Sequence, residues 1–135
     1  MISQDQIKII RTTLSKFNPI FIILFGSYAK GTARKDSDID IAFFTQTDIS
    51  DYERFLTAQQ LAENLQIESV DLVDIRKVDT VFAAQIFYTG EVIFCKDENE
   101  FILQRIRALS MYTDLNECRK KVLERIKESG SVYEQ

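Results

Sequence analysis

One stretch restricts what this chain can fold into more than any other. Leu24-Phe25-Gly26-Ser27 is followed, after ten residues, by Asp38-Ile39-Asp40-Ile41-Ala42-Phe43-Phe44. Ile20 to Phe25 is an unbroken apolar run of strand length, and a strand that stops at Gly-Ser has reached a forced turn. Gly26 lets the backbone approach a ligand closely, and Ser27 adds a hydroxyl. Asp38 and Asp40 stand two apart at the start of a second apolar strand, so the two-residue period of a strand turns both carboxylates to one face. Adjacent carboxylates repel. A divalent cation between them relieves that cost, and hard oxygen ligands of this kind suit magnesium, which keeps its waters and binds substrate phosphates.

Between the anchors lies Tyr28-Ala29-Lys30-Gly31-Thr32-Ala33-Arg34-Lys35-Asp36-Ser37, a small and basic segment. A strand, a Gly-Ser turn with free N–H groups and basic residues beside a carboxylate pair make a site for a nucleoside triphosphate. Ser27 to Thr32 reads as a short helical turn whose amides face the phosphates. Lys30, Arg34 and Lys35 are candidates to clamp triphosphate oxygens, with Arg76 a further one; a solvated basic loop is the plain alternative for each. Tyr28 is a candidate to stack on a base or to pack as a half-buried aromatic.

These residues resemble the signature of the polymerase-beta-type nucleotidyltransferase superfamily: Gly26-Ser27, ten residues, Asp38-x-Asp40. By average residue usage, four fixed positions at this spacing arise by chance on the order of once in a thousand chains of this length. The run Gly-Ser-Tyr-Ala-Lys-Gly-Thr-Ala-Arg-Lys-Asp-Ser-Asp-Ile-Asp resembles the minimal nucleotidyltransferase branch, whose members are antitoxins paired with HEPN-domain toxins. The resemblance implies a polymerase-beta-like α/β (α+β) fold, a small mixed sheet flanked by helices, and Mg2+, two ions per site, with ATP as substrate. It also implies the activity of a protein adenylyltransferase in a type VII-like toxin-antitoxin system. AMP would pass to a tyrosine of a HEPN RNase toxin, silencing it within a hetero-oligomer. Two alternatives stand beside this reading: a non-catalytic antitoxin that neutralises its partner by occlusion, and a nucleotidyltransferase for a small molecule. The forty residues after the last expected strand form one helix and leave no acceptor domain, which weighs against the second.

A two-metal site normally needs a third acid. Glu68-Ser69-Val70-Asp71-Leu72-Val73-Asp74-Ile75 alternates acidic and apolar residues as a third strand, with Asp71 on one face and Asp74 on the other. Asp71 is the leading candidate, as metal ligand or base, because the family places its third carboxylate in a comparable Val-Asp-Leu-Val strand; Asp74 and Glu68 follow it.

The remaining elements follow from periodicity. Ser3 to Phe17 reads as an amphipathic helix capped by Ser3 and ended at Asn18-Pro19. Asp51 to Leu65 reads as a helix with Phe55, Leu56, Leu61, Ala62 and Leu65 in register, capped by Ser50 or Asp51. Arg76 to Thr89 is expected to be helical, Glu91 to Cys95 a short strand, and residues from about 97 to 128 a long helix. At 1.5 Å per residue the last helix spans about 45 Å, more than a small domain can cover, so part of it is free for a partner. The tail from Ser129 reads as frayed. Phe82, Phe87, Phe94 and Phe101 are assigned to the core.

At 135 residues, 15.7 kDa and 45% hydrophobic content, the chain is expected to be one domain, residues 1–135, with its core at about 1–96. A net charge of −4 gives no general attraction to nucleic acid. Histidine is absent and Cys95 and Cys118 lack CxxC spacing, which excludes zinc chemistry and His-activated nucleophiles; the cysteines are expected to pack as small apolar groups. With no signal-like or membrane-spanning run, the expected location is the cytoplasm.

Overall fold

The structure, a computed structural model, describes residues 2–26 and 38–128. It opens with helix α1 (Gln4–Leu14), continued by a 3-10 turn (Ser15–Phe17). Ser3 caps α1 reciprocally: its hydroxyl accepts from the Gln6 amide, and the Gln6 carboxamide accepts from the Ser3 N–H. Asn18 takes the left-handed conformation ahead of Pro19, which ends the helical path and starts strand β1 (Phe21–Phe25).

The other elements are β2 (Ile39–Phe44), α2 (Asp51–Leu65), β3 (Val70–Asp74), α3 (Thr80–Thr89), β4 (Glu91–Cys95) and α4 (Glu98–Glu128). The four strands form one mixed sheet in the order β3-β2-β1-β4. β1 runs antiparallel to β2 and β4, and β3 runs parallel to β2. The parallel pair requires a crossover, which α2 supplies. This is the mixed α/β architecture expected from the sequence, with helices on both faces of the sheet and a long helix at its end.

Alternation along the strands splits the core in two. Ile22 and Leu24 of β1, Ile39, Ile41 and Phe43 of β2, and Leu72 of β3 pack against Ile10 and Leu14 of α1 and Leu61 and Leu65 of α2. On the other face Phe21, Ile23, Phe25, Ala42, Phe44 and Val73 pack against Ile86 and Phe87 of α3 and Ala108 of α4. Phe21 is central there, stacked on Phe44 at 5.0 Å and edge-on to Phe101 at 5.0 Å.

Several expectations are corrected. In α2, Phe55 and Leu56 point to solvent, Phe55 being 58% exposed, and Thr57 takes the inward position instead. Its hydroxyl can be buried because it donates to the Glu53 carbonyl at 2.8 Å. α3 starts at Thr80 rather than Arg76, because the Asp79 carboxylate accepts from the Phe82 amide while Asp74 and its carbonyl hold Arg76 and Lys77 in a turn. Phe82, Phe87 and Phe101 share the α3–α4 side, but Phe94 lies on the other face, beneath the Arg11 guanidinium. Cys95 is half-buried as expected, whereas Cys118 is exposed on α4. No helix among the described residues is long and apolar enough to cross a membrane.

Candidate active site

The carboxylates gather at one end of the sheet because of strand register. β2 and β3 pair in parallel with Asp40 opposite Asp71, and β1 and β2 pair antiparallel with Phe25 opposite Asp40. Paired residues on neighbouring strands project to the same face, and neighbouring strands lie about 4.8 Å apart. Asp40 and Asp71 therefore stand side by side on the α3–α4 face. Asp38, two residues ahead of Asp40, is exposed just before β2 begins.

Gly26, the residue after β1, closes the site from the other side. Its φ is +73°, and a Cβ built there would lie 2.1 Å from Asp40 Oδ2. Both facts call for glycine: the backbone conformation is one L side chains rarely adopt, and the space is already filled by a carboxylate. Ser27, Lys30, Arg34 and Lys35, with Tyr28 and the expected turn from Ser27 to Thr32, lie outside the described residues, as does the tail from Ser129.

The electrostatics follow from the packing. Asp40 is half-buried, and its pKa is pushed up from 3.8 to about 6, first by burial and then by the charges of Asp71 and Asp38. Three acids thus sense one another across two strands. As the side chains stand, no set of three or more Asp, Glu, Cys or His among the described residues closes on one point to form a metal cage. The donor set suits a cation that needs only one or two protein carboxylates and completes its shell with water and phosphate oxygens, which describes Mg2+.

The other candidates separate clearly. Asp74 is buried on the opposite face, its carboxylate accepting from the Arg76 amide at 3.0 Å, so it does not join the group. Glu68 is exposed ahead of β3. Arg76, expected as a phosphate clamp, sits at the far end of β3 from Asp71, and its guanidinium donates to the Thr45 carbonyl at 2.8 Å. One neighbour escaped sequence reasoning: the Ser69 hydroxyl donates to Asp38 Oδ1 at 2.5 Å. Ser69 and Asp38 each stand one residue ahead of the first paired residues, Val70 and Ile39, so the register that sets Asp71 beside Asp40 was the signal available.

Comparison with known proteins agrees with this geometry. Residues 7–99 match the family model described as polymerase beta, nucleotidyltransferase. The chain is 33% identical over 118 residues to the protein adenylyltransferase MntA of Shewanella oneidensis, covering 87% of this chain and 82% of that protein. Among solved structures it is similar to a toxin-antitoxin crystallised with AMP-PNP, with a TM-score of 0.78 and 32% identity over 90% of this chain and 98% of the other. It is also similar to a tri-AMPylated Shewanella oneidensis HEPN toxin in complex with MNT antitoxin, with a TM-score of 0.75 and 29% identity over 93% and 99% of the two chains.

Proposed function

The chain belongs to the polymerase beta nucleotidyltransferase family, and from that premise we propose that it is a Mg2+-dependent protein adenylyltransferase, the antitoxin of a HEPN-domain toxin. The observation that carries this reading is the register of Asp40 against Asp71 beside a side-chain-free Gly26. That arrangement gathers mutually repelling carboxylates at a strand end, in a chain 33% identical to a protein adenylyltransferase. ATP is the nucleotide substrate, and the cytoplasm is where the chain meets it.

The roles follow the chemistry. Asp38, Asp40 and Asp71 offer carboxylate oxygens to Mg2+, and one or two ions fit such a set. Mg2+ held there would supply neutralisation of triphosphate and pyrophosphate charge. Gly26 and Ser27 grip the triphosphate through backbone and hydroxyl, with Lys30, Arg34 and Lys35 assigned to its outer oxygens. The oxygen of the acceptor tyrosine bonds to the α-phosphorus as the bond from that phosphorus to the bridging oxygen breaks. Asp71, the exposed acid, takes the hydroxyl proton as that bond forms.

The partner docks along α4. This helix has 31 residues, about 46 Å at 1.5 Å per residue. Phe101 and Ala108 face the sheet, and Leu115 continues the same seven-residue spacing. On its outer side Ile102, Leu103 and Ile106 are exposed. Such a helix holds a helical partner whether or not chemistry occurs, so holding and modifying the toxin are separable.

The test is to incubate the purified pair with ATP and Mg2+ and weigh the toxin by mass spectrometry. Mass added in units of AMP is expected with the natural chain and none with Asp38→Asn combined with Asp40→Asn, although the complex still forms. Transfer at the natural rate by that double variant would refute the mechanism. Neutralisation by it without added mass would establish occlusion as sufficient.

A further inference from the structure

The carboxylate end of the strand pair has four positions in two rows: Asp38 just ahead of β2 with Asp40 on it, and Ser69 just ahead of β3 with Asp71 on it. Three carry acids and the fourth carries a hydroxyl. Had position 69 been another acid, Asp38 would face a like charge directly across the strand pair, a destabilising arrangement. Serine does the opposite, because its hydroxyl can donate to the carboxylate, and it does so to Asp38 Oδ1 at 2.5 Å. A donor to a carboxylate fixes the plane in which the free oxygen points.

We infer that Ser69 is a positioning residue for the metal site: its hydroxyl pins one oxygen of Asp38 so that the other is left aimed at Mg2+. Asp38 needs such a restraint more than Asp40 does. Asp40 is half-buried within a strand, beside Gly26 and opposite Phe25, whereas Asp38 is exposed and precedes the strand, where nothing in the sheet ladder holds it. A surface acid left to rotate would spend ordering entropy on every binding event. Partners that orient a metal-binding carboxylate this way commonly govern affinity by about 10–100-fold. The contact of Ser69 is with Asp38, so its effect passes through that carboxylate.

The inference rests on the assignment of Mg2+ to these acids, and the experiment separates the two. Binding of Mg2+ in the presence of AMP-PNP is titrated calorimetrically for the natural chain, Ser69→Ala and Ser69→Thr. The Mg2+ concentration giving half-maximal AMP transfer is measured alongside. Ser69→Ala is expected to weaken Mg2+ binding and raise the half-maximal concentration about 10-fold, with a much smaller loss at saturating Mg2+; Ser69→Thr, which keeps the hydroxyl, restores both to within about 2-fold. A folded Ser69→Ala with Mg2+ affinity unchanged beside a Mg2+-binding natural chain overturns the inference alone. A natural chain that binds no Mg2+ overturns the functional reading with it.

Discussion

Asp40 is the group whose environment most opposes its charge, and replacing it tests the electrostatic account of the site without reference to activity. In the ion-free protein, burial and the charges of Asp71 and Asp38 raise its pKa from 3.8 to about 6. Between those values the folded state holds a proton that the unfolded chain has lost, so stability falls as pH rises through that window and the loss is complete above about pH 7. At 1.36 kcal/mol per pH unit the rise corresponds to at most about 3 kcal/mol. The carboxylate is only half-buried, and screening by water reduces this to about 1–2 kcal/mol. Asp40→Asn removes the charge with little change in volume. It should therefore stabilise the ion-free protein by about 1–2 kcal/mol at pH 7.5, a rise in Tm of roughly 3–8 °C for a chain of this length. The advantage should vanish by about pH 3.5, where Asp40 is protonated in both states. Thermal melts of both proteins across pH 3.5 to 8 in EDTA, then repeated with Mg2+, provide the assay. Mg2+ is expected to stabilise the natural chain and to leave the variant nearly unmoved. An Asp40→Asn protein less stable than the natural chain at pH 7.5, or an advantage independent of pH, would refute the reasoning.

Gly26→Ala should cost activity far more than stability. The left-handed backbone adds about 1 kcal/mol of strain, while the new methyl must drive the Asp40 carboxylate off its position, so AMP transfer should fall at least about 100-fold in a protein whose melt drops only a few degrees. Phe21→Ala removes the ring shared by Phe44, Phe87 and Phe101 and should destabilise by about 3–5 kcal/mol in urea titrations. Phe55→Ser, on the solvent side of α2, should change stability by less than about 0.5 kcal/mol and leave toxin modification intact. Leu115→Asp should weaken co-purification of the partner while the isolated chain melts nearly normally, because Leu115 is half-buried on α4 and joins neither core cluster.

The site and the sheet were legible in the sequence for the same reason. An apolar run that ends at Gly-Ser, and acids two residues apart at the mouth of another such run, describe local geometry, and local geometry survives folding. What escaped reading depended on register or on rotation about a helix axis, which tertiary packing sets. Phe55 and Leu56 fit an inward stripe as well as Thr57 does by spacing alone; the choice fell to the helix face that meets the sheet through Leu61 and Leu65. Phe94 is one residue from the face that Phe82, Phe87 and Phe101 share, and in a strand one residue reverses the side. Arg76 looked like a phosphate clamp because it follows the Asp71 strand, but five residues of extended chain carry it to the opposite end of the sheet.

The sheet divides the labour between its faces, and this limits how a partner can be both held and modified. α1 and α2 cover one face and carry no part of the acid group; Asp40 and Asp71 project from the other, on which α3 and α4 pack. A protein docked on α2 would have the whole sheet between its hydroxyl and the α-phosphate. A protein docked on α4 begins on the correct side, with its hydroxyl needing only to reach the strand ends where Gly26 meets Asp40. The exposed stripe on α4 and the carboxylates are therefore two parts of one arrangement. On the proposed reading the helix raises the effective concentration of the acceptor, and the acids act on whichever of its hydroxyls comes within reach. Removing part of the docking helix should expose this coupling. If α4 is cut back before Leu115, transfer to the toxin should slow mainly through a raised KM, with kcat retained at saturating toxin; an unchanged KM would place docking elsewhere.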